Sequence, residues 1–140
     1  MRTTSSGGQS PWLTLAFAAV ALTACSSSTT PPEADADSPA ASYTRTSDWG
    51  EGDAALLEGT VALENSCLTV VDATGRIVVP VFPTDFTWDD EAGELSGFGH
   101  TFSVGDPVSL GGGYSEMPPS IAEHLPNGCE GDQYFVVHSV

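Results

Sequence analysis

Apolar and polar residues alternate along the second half of the chain, which is the pattern of half-buried β-strands. The alternation begins over residues 58–64 and is clearest over residues 98–104. Two apolar runs lie between them, at residues 67–71 and 76–82, and turn residues separate the first three segments. Two close hairpins in succession predict an antiparallel meander over residues 58–82.

Further segments complete the predicted fold. Residues 108–110 and 134–140 are strand-like, and Pro80 is expected at an edge or a bulge because proline cannot donate to a ladder. Residues 117–125 are the helix candidate, with Ser120 and Glu123 at capping-box spacing. Short strands with glycine turns predict a mainly β fold, a small antiparallel β-barrel with one short helix before the last strand.

The apolar strand positions form the predicted core. We expect burial of Val61, Leu63, Leu68, Val70, Ile77, Val79, Val81, Phe102, Val104, Val108, Leu110, Phe135 and Val137.

The N-terminal part of the chain has the layout of a secretory signal peptide. Arg2 precedes an uncharged apolar run over residues 12–24, which is too short to span a bilayer. The run ends in Leu-Thr-Ala-Cys, which resembles the lipobox of bacterial lipoproteins and implies lipidation of Cys25. The predicted segments are a signal peptide (1–24), a lipidated cysteine with a disordered tether (25–50) and a barrel domain (51–140), placed on the outer face of the cell membrane. The alternative is an ordinary signal peptide that leaves a free thiol.

Two cysteines remain once Cys25 is assigned to lipid. Cys67 and Cys129 are 62 residues apart, and outside the cytoplasm two cysteines allow one pairing. We therefore predict a disulfide between them, with two buried thiols as the alternative. A cysteine metal site is disfavoured because the two lack the close spacing of such sites.

The charge balance narrows the class of partner. From residue 25 onward the chain has Arg45 and Arg76 against all 19 acidic residues, for a net charge of −17. Such a surface repels nucleic acid and anionic lipid headgroups. It either attracts cations and basic partners or serves solubility alone.

Several short motifs carry a family resemblance. They lie at residues 58–60, 67–68, 81–83, 104–108 and 111–113, followed by Cys129. Together they resemble a small β-barrel domain of bacterial, mainly actinobacterial, secreted lipoproteins of unassigned function, over about residues 55–140. The resemblance implies an OB-like barrel of five to six strands, although the predicted helix lies before the last strand and not after the third.

Catalytic motifs are weak in this sequence. The segment Leu95-Ser96-Gly97 lacks the first glycine of a serine nucleophile elbow. A pair of carboxylates acting as a hydrolase remains an alternative. We expect no enzyme activity and no cofactor.

Metal ligands are a further alternative. Asp89, Asp90, Glu91 and Glu94 offer oxygen ligands for calcium, or else form a solvated hairpin tip. The three histidines, His100, His124 and His138, with Met117, offer ligands for zinc or copper. In the other interpretation, His100 lies in the core and His124 is exposed on the predicted helix.

Aromatic residues and a glycine run complete the candidates. Phe86, Trp88 and Tyr114, together with Phe82, either line a binding groove or belong to the core. Residues 111–113 form either an anion-binding nest or a strand bulge. The function expected from these features is a non-enzymatic binding module for an unknown extracytoplasmic protein or glycan. A metal-binding envelope protein and a carboxylate hydrolase are the alternatives.

Overall fold

A computed structural model of the chain describes residues 37–46 and 54–140. The predicted signal peptide, Cys25 and most of the predicted tether lie outside the described residues. No helix that could cross a membrane occurs within residues 37–46 and 54–140. In this part the strands are β1 (Ala41–Tyr43), β2 (Ala55–Glu64), β3 (Cys67–Asp72), β4 (Ile77–Pro83), β5 (Thr87–Asp89), β6 (Glu94–Gly97), β7 (His100–Ser103), β8 (Pro107–Ser115) and β9 (Gln133–Ser139).

Five of these strands close into a barrel. Strand β2 pairs antiparallel with β3 and with β8, β3 pairs antiparallel with β4, and β8 pairs antiparallel with β9. Strand β9 then pairs parallel with β4, from Val78 opposite Gln133 to Val81 opposite Val136. The predicted β-barrel is confirmed, but its purely antiparallel pairing is wrong. The segment between β8 and β9 runs past β1 and the start of β3 before β9 begins, and β9 then runs in the same direction as β4.

Strand β1 occupies an edge of β4 that β3 leaves open. Strand β3 is in register with β4 only at Ile77 and Val78, and β1 takes over from Val81 to Pro83 in parallel pairing. On this edge Pro80 is paired with neither β3 nor β1. The N–H that proline lacks is therefore not needed for a hydrogen bond there. Residues 41–43, predicted as part of a disordered tether, are thus a strand of the barrel with Ala41 and Tyr43 buried.

The predicted helix over residues 117–125 is absent. Within the segment Ala122 N–H donates to the Pro119 carbonyl at 3.0 Å, which closes a single turn. The backbone then bonds to β1: Glu123 N–H donates to the Ser42 carbonyl at 2.9 Å, and Ser42 N–H donates to the His124 carbonyl at 2.8 Å. Ile121, Ala122 and Leu125 pack against the buried cluster beneath. A two-turn helix gains few internal hydrogen bonds for its costly first turn, and the available β1 edge outweighs it.

The core is formed mainly by the inward positions of the barrel strands. Of the predicted core residues, Val61, Leu68, Val70, Val79, Val81, Val108, Leu110, Phe135 and Val137 are buried. Ile77 and Phe102 are half-buried. Leu63 and Val104, at 47% and 49% exposure, contradict the prediction. Leu63 lies at the end of β2 beside the hairpin turn, and Val104 follows the end of β7, so neither reaches the barrel interior.

A second sheet is inserted between β4 and β8. Strands β5, β6 and β7 form an antiparallel three-stranded sheet. The strand predicted over residues 98–104 is shorter than expected, because Phe98 and Gly99 form the tip of the β6–β7 hairpin. Leu95 and Phe86 connect this sheet to the barrel core.

The glycine run in β8 forms the predicted bulge. The register of β8 against β9 shifts between Gly111 and Gly112. A Cβ on Gly112 would overlap the Val136 carbonyl oxygen of β9, so glycine is required for the two backbones to approach.

The predicted disulfide is confirmed. Cys67, at the start of β3, is bonded to Cys129, four residues before β9, and both are buried. The bond ties the segment between β8 and β9 to the barrel wall.

Replacing both Cys67 and Cys129 by alanine should lower the free energy of unfolding by up to about 4 kcal/mol, because the open chain gains entropy. Urea unfolding of both proteins measures the difference. Full alkylation of the native protein without reduction would contradict the bond.

Phe135→Ala should cost about 3–5 kcal/mol, since the ring is fully buried and its loss leaves a cavity. The control is Leu56→Ala, at a side chain that is 56% exposed, which should change stability by no more than about 0.5 kcal/mol. Equal losses in urea unfolding would show that Phe135 does not carry the core.

Candidate functional site

The predicted aromatic binding residues do not line one groove. Phe86 is buried, with its ring centroid 5.0 Å from that of Phe82. Tyr114 is exposed on β8, but its ring packs edge-on against Phe135 at 4.7 Å. Trp88 is half-buried and lines a separate recess of about 390 Å³ with Asp37, Ser38 and Asp90. Phe86 therefore belongs to the core, and Tyr114 does not line the recess that Trp88 lines.

A different recess lies between the barrel and the inserted sheet. It has a volume of about 270 Å³, and we call it the Arg45 recess. Its lining comes from the segment after β1, from the β6–β7 hairpin and from the end of β9. The lining residues are Arg45, Phe98, His100, His138, Ser139 and Val140.

Arg45 is held in this recess by contacts on several sides. Its Nη2 donates to the His138 carbonyl at 2.7 Å, and its Cζ lies 4.5 Å from the centroid of the Phe98 ring. Asp85 Oδ2 is 4.0 Å from its Nε. These contacts engage part of the five N–H donors of the guanidinium, and 42% of the side chain remains exposed.

Phe98 adopts a backbone conformation that costs free energy. Its φ is 49° and that of Gly99 is 78°, so both tip residues are in the left-handed region. That region disfavours a bulky side chain by about 1–2 kcal/mol, and asparagine or glycine is the usual choice in such a hairpin turn. The ring is 47% exposed and meets Phe86 edge-on at 5.2 Å. Residues held in such strained backbone conformations cluster at active sites and ligand clamps.

Tyr43 fixes β1 beside the recess. Its buried hydroxyl donates to the Val137 carbonyl of β9 at 2.7 Å. Burial raises the pKa of this phenol, and the charge of Arg45 together with a hydrogen bond from its side chain offsets part of the rise. Tyr43 therefore ties β1 to β9 two residues before Arg45.

The histidines are not placed as predicted. His100 is exposed and stacks on Phe102 with 6.3 Å between ring centroids, so it is not a core residue. His124 is half-buried, with Nε2 2.9 Å from the Ser38 carbonyl oxygen, and is not on a helix. His100 and His138 share the Arg45 recess. Within residues 37–46 and 54–140, no three or more His, Cys, Asp or Glu side chains are grouped to hold a metal.

Three of the four carboxylates of the acidic turn, those of Asp89, Asp90 and Glu94, accept hydrogen bonds from within the inserted sheet. Asp89 Oδ1 accepts hydrogen bonds from the backbone N–H groups of Glu91 and Ala92, at 3.0 and 2.9 Å. Asp90 accepts a long bond of 3.4 Å from Trp88 Nε1, and Glu94 accepts one of 3.2 Å from Ser103. This arrangement stabilises the β5–β6 hairpin.

A carboxyl group with a shifted pKa lies at the β3–β4 turn. Hydrogen bonds from the Thr74 hydroxyl, with further bonds from the Thr74 backbone and from Arg76, hold the pKa of Asp72 well below its usual value. The lowered pKa keeps the Asp72 carboxylate ionised. An ionised carboxylate can hold the turn together by accepting hydrogen bonds, but it has no proton to donate as a general acid.

No protein-family model, curated protein or solved structure matches this chain. The functional proposal therefore rests on the chain's own side chains. Arg45 and Phe98 were absent from the predicted binding residues. Arg45 did carry a signal in the sequence, because it is one of two basic residues after residue 25.

Tyr43→Phe should change how stability depends on alkaline pH. The unfolded tyrosine ionises near its ordinary pKa of 10.0, whereas the buried phenol stays neutral to higher pH. Native stability is therefore fully present below about pH 10 and falls above it. The variant should lose less stability than the parent between about pH 9 and 11, and be roughly 1 kcal/mol less stable at neutral pH. Parallel profiles from urea unfolding would contradict the assignment.

Proposed function

We propose that this chain is a membrane-anchored extracytoplasmic lipoprotein whose barrel is a non-enzymatic binding module. The Arg45 recess is its ligand site. The observation that carries the proposal is Phe98, whose ring is presented at a strained hairpin tip against a half-exposed guanidinium. If Phe98 served only to pack on Phe86, Arg45 would not need to lie across the exposed face of the Phe98 ring.

The strand order supports a barrel of the OB type. The order β2-β3-β4-β9-β8, closed by β8 on β2 with β4 and β9 parallel, is similar to the five-stranded OB barrel. OB-type barrels use a sheet face and the adjoining loops for binding. In this chain the β5–β7 sheet occupies the place after the third barrel strand, and it carries Phe98 and His100 to the recess.

The charge of the chain favours a ligand other than nucleic acid. The segment after residue 25 has 19 acidic residues and two arginines. A polyphosphate backbone would need several cationic contacts along its length. The Arg45 recess offers one arginine, which suits a single small anionic or aromatic group.

The proposed anchorage rests on the apolar run and on Cys25. Removal of residues 1–24 and acylation of Cys25 would fix the barrel to the outer face of the membrane, since each buried methylene contributes about 0.8 kcal/mol. The polar residues 26–32 that follow resemble the linker of such lipoproteins.

Cys25→Ala should move the protein from the membrane fraction to the soluble fraction, because the acyl acceptor is lost. Ser26→Ala is the matched control and should stay with the membrane. Fractionation followed by immunoblotting measures both variants. Unchanged membrane retention of Cys25→Ala would overturn the anchorage.

Binding at the recess can be tested with the anchored protein on cells. Proximity labelling should give a set of envelope molecules that is lost in Phe98→Ala and kept in Trp88→Ala, provided both variants melt as cooperatively as the parent. A set that is unchanged in Phe98→Ala but lost in Trp88→Ala would move the site to the Trp88 recess.

A further inference from the structure

We infer that the Arg45 recess binds a small organic carboxylate with a planar apolar body. This inference rests on the proposed binding function and names the chemistry of its ligand. It follows from the charge of the recess, the state of the Arg45 guanidinium and the shape of the apolar wall.

The recess holds one of the two arginines that follow residue 25 in an acidic chain. Its lining holds one guanidinium and the imidazoles of His100 and His138, and no carboxylate side chain is among its lining residues. Elsewhere the surface is acidic, as the net charge of −17 after residue 25 requires. An anion therefore finds its favourable electrostatic environment here, close to Arg45.

The guanidinium is oriented but not saturated. The His138 carbonyl and the Phe98 ring hold it at 2.7 and 4.5 Å, and the Tyr43 phenol is a further hydrogen-bond partner. Its acidic neighbour, Asp85, is 4.0 Å away and 50% exposed, and such a solvated pair contributes little. A ligand carboxylate that accepts two parallel N–H bonds from Arg45 makes a stronger, shorter contact than Asp85 does.

Flat and apolar groups form part of the remaining lining, next to Ser139 and His138. The exposed Phe98 ring and the His100 ring offer flat surfaces, and Val140 adds an aliphatic one. A volume of about 270 Å³ equals that of about nine water molecules in the liquid. This is room enough for one monocyclic carboxylate, and the recess is largely open to solvent.

The Trp88 recess has the opposite character and serves as an internal contrast. It is lined by Asp37 and Asp90 beside the indole, with Ser38. A carboxylate is repelled there, whereas an ammonium group is favoured.

The test is an NMR titration of the purified full-length protein with benzoate, and with benzamide and benzylammonium as probes of similar shape. Benzoate should shift the backbone resonances of Phe98, His100 and His138. Arg45→Gln should weaken benzoate binding about tenfold or more, since a charge-assisted contact is lost. Arg76→Gln, at the other arginine after residue 25 and about as exposed, should leave the affinity within about twofold.

Asp85→Asn gives the sharpest discrimination. Removing the neighbouring negative charge should tighten benzoate binding severalfold and leave benzamide binding unchanged. A purely structural Arg45 predicts no change for either probe.

The outcomes separate the two levels of the proposal. Benzamide or benzylammonium binding at the recess as tightly as benzoate would overturn the carboxylate inference and leave the binding function standing. No shift at the recess with any of the three probes would overturn both.

Discussion

Strand β4 carries three neighbours, and the rest of the structure depends on that arrangement. On one edge it pairs in parallel with β9, which closes the barrel. On the other edge it pairs first with β3 and then with β1. Its side chains alternate between the two buried clusters, with Val78 and Phe82 in one and Val79 and Val81 in the other. If the pairing on either edge of β4 were lost, the barrel would open and its apolar interior would be exposed to water.

The same junction builds the recess. Strand β9 brings His138 to one side, and β1, tied to β9 through the Tyr43 hydroxyl, ends two residues before Arg45. The inserted sheet, which follows β4 directly, supplies Phe98 as the facing wall. Arg45 and His138 are 93 residues apart in the chain, and the pairing of β4 with both flanking strands makes them neighbours.

The strands and the disulfide were accessible from the sequence for physical reasons. Side-chain alternation reports which residues can face a core, and two remaining cysteines in an oxidising compartment have one possible partner each. Alternation does not report pairing direction, so the parallel β4–β9 contact was missed. Leu63 and Val104 fit the alternation, but they lie past the ends of the barrel. An alternating side chain has no interior to face there, so both are exposed.

Three other features required long-range contacts. The segment at residues 41–43 is short and lies in a polar part of the chain. It forms a strand only because it pairs with the free edge of β4. Strand β1 in turn bonds to the backbone groups of Glu123 and His124, which a helix over residues 117–125 would have bonded internally. Residue type alone selected Phe86, Trp88 and Tyr114 as binding candidates, but packing decides which aromatic ring is exposed. Phe98 is exposed because it lies at a turn.

The docking of β1 on β4 can be measured directly by native-state amide hydrogen exchange. The account predicts that the Ser42 N–H, bonded to the His124 carbonyl, exchanges on the slow timescale of barrel amides such as Val61 N–H, which is bonded to the Asp106 carbonyl. Exchange of Ser42 at the rate of an unstructured peptide, with Val61 still protected, would show that β1 is not part of the barrel. Arg45 would then not be held over Phe98.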